Sequence, residues 1–451
     1  MMNTQSPRNP MLRVMASRDF RLLFSGSATS LLGDQFALIA TPWLVLQLTG
    51  DPLVLGIVLA LEGIPRAAFM LLGGAITDRL SPRLIMLIAD VIRFGLTGMM
   101  ALVIFTGAIQ MWMLYIFSLG FGLVAGLAIP AENSIVPMLV KDQDLQAGNS
   151  LIMGVTQLAG FVGPTIAGVL IGRYSDSPLG IGLAFSLDAV SFAISAACLW
   201  LIHMGRRQPV APESPEKESL WDTILTGMKY LWADPGLRIM FLVMVAVNFL
   251  LIGPIMVGIP ILADQRLPEG AVAFGLLMSA YAGGSLIGYL IAGSLPRPGG
   301  GTMRVIIVAL LVSFGAVIGS LSFIASTWVD FCLLLLLGLG NGYIAIILIT
   351  WIQTRTPKEM LGRMMSLLVF ASNGLWPVSQ GISGAVSKWD LNLLFASAGA
   401  LVLLVTIWMV LQAGFKIFSD SLTSEQVNEG NLAIDRLPST KRISYSERMC
   451  K

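Results

Sequence analysis

Twelve apolar runs follow one another along this chain, at about 21–48, 53–76, 84–106, 111–136, 150–172, 179–202, 238–263, 271–295, 305–326, 329–353, 364–386 and 391–415. Each is close to the roughly 20 residues that a helix needs to cross a bilayer. Hydrocarbon gives the backbone no hydrogen-bond partner, so a spanning segment folds as a helix or joins a closed barrel. The runs lack the period-2 alternation of a membrane barrel. The expectation is an all-α membrane protein of twelve transmembrane helices. Composition agrees, at 55% hydrophobic and 12% charged, against roughly 45–50% and about 25% for soluble domains. The first run is too long for a signal peptide and no small-residue cleavage pattern follows it, so it is expected to stay as a span.

Orientation follows from the basic residues. Of 28 Lys and Arg, 23 fall in the N-terminal segment, the C-terminal tail and the alternate connections on that side. The opposite connections hold three, Arg173, Arg266 and Lys388, and Arg66 and Arg93 lie within runs. The positive-inside rule then predicts both termini in the cytoplasm of an inner or plasma membrane protein.

The chain also repeats itself. Phe20-Arg21-Leu22-Leu23-Phe24 returns as Leu237-Arg238-Ile239-Met240-Phe241. Gly56 and Gly74 return as Gly275 and Gly293, Gly122 as Gly340, and Gly168 as Gly384, all at offsets of 216 to 219. This implies two six-helix halves related by an axis along the membrane normal, the construction of transporters whose site lies between parallel repeats. The expected divisions are a cytoplasmic segment 1–20, a first half 21–202, a linker 203–237, a second half 238–415 and a disordered tail 416–451. In the linker, Leu220, Ile224, Met228 and Leu231 recur at helical spacing. They suggest either a short surface helix or a plain connector.

Ionisable groups inside a bilayer cost about 2.5–3.5 kcal/mol at a helix centre on insertion scales, so those present need partners or tasks. They are Asp34 in the first run, Glu62 and Arg66 in the second, Asp90 and Arg93 in the third, Glu132 in the fourth and Asp188 in the sixth. Glu62 and Arg66, one turn apart, share a face and can pair. Pro65 between them frees the carbonyl of Leu61. The pair is either a cavity wall that substrate or proton can break, or a static ion pair. Asp34 has no local partner. Low dielectric disfavours a charged carboxylate, so Asp34 either trades a proton or is satisfied by a neighbouring helix. Asp188 allows the same two readings. Glu132 either touches substrate or proton, or is a solvated helix end.

Charge gathers again between the second and third runs, in GGAITDRLSPRLIMLIAD from Gly73 to Asp90. Gly74, Asp78, Arg79, Arg83, Asp90 and Arg93 are candidates for a cytoplasmic gate, a latch that opens when the halves rock; the alternative is a permanent brace. In the fifth run, Gly154, Gly163, Pro164 and Gly168 permit close packing and a bend. Asn373, Gly374, Pro377, Gln380, Gly381 and Gly384 form a looser counterpart in the eleventh. The 24 methionines can line an adaptable pocket or simply fill core and face lipid.

Several function classes drop out. There is no phosphate-binding G-x-x-x-x-G-K-[ST] loop. One histidine and three scattered cysteines give no metal, redox or disulfide framework. A net charge of +2 gives no basis for nucleic-acid binding. No cofactor and no enzymatic activity are expected.

The stretch from Gly74 to Arg83 resembles the loop signature G-x-L-A-D-R-x-G-R-[RK] of the major facilitator superfamily. Gly74, Asp78, Arg79 and Arg83 match; Ser81 and Pro82 depart. The fifth run resembles the antiporter signature G-x8-G-P-x-x-G-G through Gly154, Gly163, Pro164 and Gly168, with Ala167 in place of one glycine. The first two runs, LDAVSFAISA around Asp188 and PKEMLGRMMSL around Arg363 look like the drug:proton antiporter branch, which includes macrolide-efflux and enterobactin-exporter proteins. Glu132 stands where that branch often has arginine. The resemblance covers about 20–415. It implies proton-coupled efflux of an amphipathic drug, macrolide or siderophore by alternating access. The implied partners are a small-molecule substrate, protons and lipid, with the protein a monomer. The rival readings are an uptake carrier of the same fold and a membrane receptor or scaffold that moves nothing.

Overall fold

The computed structural model describes residues 9–77, 80–175, 177–203, 220–295 and 298–418. All regular structure among them is helical. A short α1 (Pro10–Ala16) leads into α2 (Arg18–Thr49), α3 (Pro52–Thr77), α4 (Pro82–Phe105), α5 (Met111–Leu139), α6 (Leu145–Gly172) and α7 (Leu179–Leu201). Then come α8 (Leu220–Ala233), α9 (Pro235–Gly253), α10 (Ile259–Arg266), α11 (Ala271–Ser294), α12 (Gly300–Ser320) and α13 (Thr327–Arg355). The chain ends in α14 (Lys358–Asn373), α15 (Trp376–Trp389) and α16 (Leu391–Leu411). We call the end of the bundle where α2 starts the near face, and the end where α2 stops the far face.

Eleven helices among the described residues are long and apolar enough to cross a membrane. One of them is the continuous stretch Pro235–Arg266, in which a π-helical turn, Pro254–Gly258, joins α9 to α10. The run expected at 364–386 is two shorter helices instead, α14 and α15, with a break at Gly374 and Leu375, and neither is among those eleven. Pro377 explains the break. It has no N–H to donate, and its ring crowds the carbonyl one turn earlier, that of Asn373.

The repeated glycines meet crosswise near the far face. Gly384 of α15 lies against Gly56 of α3, and Gly168 of α6 against Gly275 of α11. Gly56 and Gly275 are repeat partners, as are Gly168 and Gly384. One interface is therefore the repeat image of the other. A side chain on Gly384 would begin 2.7 Å from the Pro52 carbonyl and 2.8 Å from the Gly56 Cα. Only glycine lets the two backbones come this close. Thr165 reinforces the second contact: its N–H and hydroxyl reach Ser279 Oγ at 3.0 and 2.8 Å. Lys388 Nζ and Asp51 Oδ2, at 2.7 Å, tie the far face from outside.

The near face is braced within each set of six spans. Val14 of α1 is buried with Phe20, Leu23 and Ile135, and Arg13 meets Asp144 at 2.6 Å. Residues 10–16 of the segment before the first span thus form a helix, and α2 begins at Arg18, earlier than the apolar run suggests. Asp234 caps α9 by accepting the N–H groups of Gly236 and Leu237, and pairs with Arg355 at the end of α13. The linker helix α8 does form; its Gly227 rests on Arg363 and Leu367 of α14. Residues 416–418 belong to a helical turn, and the rest of the expected tail lies outside the described residues. Residues 413–418 are helical, with Phe415 and Phe418 buried. Phe418 meets the Trp351 ring edge-on at 4.6 Å. Two phenylalanines three residues apart give that turn one apolar face, which overrides the charge of Lys416.

Asp234 yields a stability prediction. Burial works against its charge, but the Leu237 N–H, Arg355 and the Gly236 N–H outweigh it and hold the carboxyl below the usual range. Its stabilisation is complete above the ordinary carboxylate value of about 3.9 and is lost as pH falls through the depressed folded value. Asp234→Ala should cost about 1 kcal/mol at neutral pH, read as a lower apparent melting temperature. The gap from wild type should hold down to about pH 4 and close below it.

Candidate functional site

A cavity of ≈ 710 Å³ lies between the first six spans and the second six. Its wall runs from Leu23, Met86 and Val136, close to the near face, to Thr41, Pro42 and Phe274 deeper in the bundle. Beyond that depth the glycine contacts and the Asp51–Lys388 pair seal the far face. Every charge on the described wall comes from the first six spans: Asp34, Glu62, Arg66, Asp90, Arg93 and Glu132. The second set contributes Met256, Phe274, Met278, Asn373, Trp376, Pro377 and Gln380, none of them charged.

Arg93 is the hub. It is 7% exposed, and its Nη1 lies 3.4 Å from Glu132 and 3.9 Å from Asp90. Its guanidinium lies over the neighbouring rings of Phe121 and Phe192, at 5.7 and 5.5 Å. Aromatic faces suit a planar, weakly hydrated cation. One oxygen of Asp90 still has no hydrogen-bond partner, so this network has spare capacity. Glu132 has a side chain 41% exposed, facing the cavity, where a molecule can reach it.

Glu62 and Arg66 form the ion pair expected from their spacing. Both stay partly exposed, and Arg66 Nε is buried without a partner. They are set on the wall by two glycines of α5. Gly122 packs against the backbone of Glu62 and Gly126 against that of Arg66. In the second half the same device recurs: Gly338 packs against Tyr281 and Gly342 against Ser285. Tyr281 and Ser285 stand 219 residues after Glu62 and Arg66. The repeat thus keeps the packing and drops the charges.

Asp34 faces the cavity, half-buried. Asp188 does not line it. It is fully buried, with both carboxyl oxygens unpartnered, and lies against Gly33, whose added side chain would start 2.9 Å from Asp188 Oδ1. The two acids are thus neighbours, one on the wall and one behind it.

Among the described residues of the expected gate, Arg83 stands apart from Asp90 and Arg93. Arg83 donates to the carbonyls of Leu199 and Trp200, both at 2.6 Å, and so caps the end of α7. Asp90 and Arg93 turn to the cavity. Asp78 and Arg79 lie outside the described residues, and of Gly74 only its place in α3 is described. The glycines of the fifth run divide their work. Gly163 packs against Gln35 of α2; Pro164 and Gly168 face α11; Gly154 has open space around it.

Sequence reasoning missed Trp376, whose buried indole N–H lacks a partner on the cavity wall, and the rings around Arg93. It also missed Ser379 of α15, which donates to the Phe249 carbonyl at 2.5 Å and accepts the Gly253 N–H at 3.0 Å. That bridge sits where Pro254 starts the π turn. A proline beside the helix break was the one signal for Trp376.

Comparison with known proteins agrees with this architecture. The enterobactin exporter EntS of Salmonella typhimurium is 26% identical over 373 residues, covering 81% of this chain and 82% of its own. A POT family transporter solved with 5-aminolevulinic acid superposes with a TM-score of 0.69 at 14% identity, over 90% of this chain and 97% of that one. Nucleoside transporter NupG superposes with a TM-score of 0.62 at 15% identity, over 91% and 100%. The family model for the Major Facilitator Superfamily matches residues 23–380. That match covers most of the chain, the spans place a charged cavity between two repeated sets of helices, and the chain belongs to the Major Facilitator Superfamily of transporters.

Proposed function

We propose that the protein exports amphipathic small molecules, of drug, macrolide or siderophore type, in exchange for protons by alternating access. The observation that carries this reading is the cavity itself: charged on one wall, uncharged on the other, sealed at the far face. The bias of Lys and Arg puts the near face in the cytoplasm of an inner membrane. The cavity then opens where an exported molecule loads. Export is favoured by the glycine and proline pattern of α6 and by the relatives named as enterobactin exporters. Proton coupling is favoured by Asp34 on the wall with Asp188 behind it. A proton reaching Asp34 from the cavity has a second, water-excluded carboxyl as its neighbour. Substrate arriving at Glu62, Arg66 or Glu132 competes for the same charges.

The test uses efflux-deficient bacterial cells with and without the protein, each with and without a protonophore. A panel of drugs, dyes and siderophores is loaded and retention is measured. Retention should fall for at least one amphipathic compound, and the protonophore should abolish the difference. Asp34→Asn should reduce that export at least about tenfold while the protein remains in the membrane, the scale of a lost acid–base group. Higher retention would mean uptake. Binding without flux would mean a receptor.

A further inference from the structure

A second cavity of ≈ 270 Å³ lies wholly within the second six spans, walled by α9, α12, α13, α14 and α16. Three asparagines bring polar groups to a lining that is otherwise mostly apolar, Leu311 and Phe314 of α12 included. Asn248, Asn341 and Asn373 sit close to the midpoints of their spans. Below them the lining is apolar and rich in methionine: Met240, Met244, Met303, Met365 and Met409. Phe418 forms part of the floor, held by the Trp351 ring. Asn373 lines this chamber and the central cavity alike. It is the last residue of α14, at the break made by Pro377.

Size decides what such a chamber can hold. Pockets for whole drug-sized ligands run from about 300 to 1,000 Å³. The central cavity is within that range and the chamber falls just short of it. The chamber suits one arm of a molecule. Its lower wall gives water too few partners to be held there. Methionine walls adapt to shape, because the side chain is unbranched and polarisable.

We propose that this chamber is the apolar subsite of the transport site. An amphipathic substrate leaves its polar head among the charges of the first six spans and passes an apolar arm by Asn373 into the five methionines. The inference rests on the small-molecule reading above and extends it. Head selection and arm selection belong to different halves. Four carboxyls against two guanidinium groups on the cavity wall favour a cationic head. The arm is chosen by volume rather than by shape.

The test is binding of an alkyltrimethylammonium series, butyl to dodecyl, to the full chain in lipid nanodiscs, corrected with empty nanodiscs. Each methylene that enters the chamber should raise affinity about fourfold, until the chamber is full and affinity levels off. Ala345→Trp fills the chamber from its wall. It should bring the plateau several methylenes earlier and leave the butyl compound unchanged. Met365→Ala enlarges the chamber and should delay the plateau, which keeps the test alive if the tryptophan variant does not fold. One plateau length in all three proteins would overturn the proposal, as would a length dependence matched by empty nanodiscs. The second result would mean that the compounds enter the bilayer and the chamber adds nothing to their binding. Flux is scored separately in the efflux assay. Loss of the plateau shift with export intact sinks the subsite alone. A plateau shift without export keeps the subsite and sinks the export reading.

Discussion

Arg93→Ala is expected to abolish transport and to destabilise the protein by about 3 kcal/mol, because removing one member of a buried charge network leaves the others uncompensated. The cost falls unevenly. Asp90 has a side chain 8% exposed and loses its nearest cation. Glu132 is 41% exposed and can turn to cavity water. Asp90 should therefore dominate the thermal loss, and Arg93→Ala with Asp90→Asn should recover most of the apparent melting temperature. That double variant should still not transport, because the cation over the two rings is gone. Arg93→Lys keeps the charge and loses the planar guanidinium that contacts Phe121 and Phe192, so partial transport is expected. If the single and double variants melt alike, the network is not what holds Asp90. If Arg93→Ala transports at the wild-type rate, the hub has no part in substrate or proton handling.

The sequence showed the spans and the repeat more readily than the site. Span length and hydropathy are summed over twenty residues, so they survive local exceptions such as the Pro377 break. The offset between repeats marked Gly56 with Gly275 and Gly168 with Gly384 before any contact was visible. It did not show that Gly56 meets Gly384 and Gly168 meets Gly275, because crosswise packing is a property of the axis between the halves. Glu62 and Arg66 were legible as a pair because one turn separates them. Arg93 with Glu132 was not, since they stand 39 positions apart. Asp188 looked like Asp34, an acid inside a span, and periodicity could not say which of them faces the cavity. Arg83 was read with its neighbours in the loop, whereas its guanidinium spans to the end of α7, more than a hundred residues on. The chamber left only a trace, as five methionines spread over four helices.

Closure of the far face should depend on backbone approach far more than on charge, and the two can be separated. The Asp51–Lys388 pair is partly exposed on both sides, and such pairs contribute about 0–1 kcal/mol. The hydrogen bond from Lys388 outweighs burial and holds the Asp51 carboxyl below its ordinary range. The pair therefore survives down to about pH 4 and is lost only as pH falls through the depressed value. Acidification across the physiological range will not open it. Lys388→Gln should change transport less than about threefold, a factor set by that same small energy. Gly384→Ala meets backbone on both sides, the Pro52 carbonyl and the Gly56 Cα, and neither can swing away. Gly168→Ala meets the Ala271 carbonyl at 2.5 Å and the Gly275 Cα at 2.9 Å. Combined, the two substitutions push apart both images of one interface, and the sealed arrangement loses its two tightest contacts. The readout is cross-linking of Asp51→Cys to Lys388→Cys by a short bis-maleimide, in a chain whose Cys198, Cys332 and Cys450 are serine. Cross-linking should be efficient on the glycine background and block transport when complete. With both alanines it should fall several-fold, and transport should fall with it. Undiminished cross-linking and transport in the double alanine variant would mean that α3 with α15 and α6 with α11 need no such approach, and that something else closes the far face.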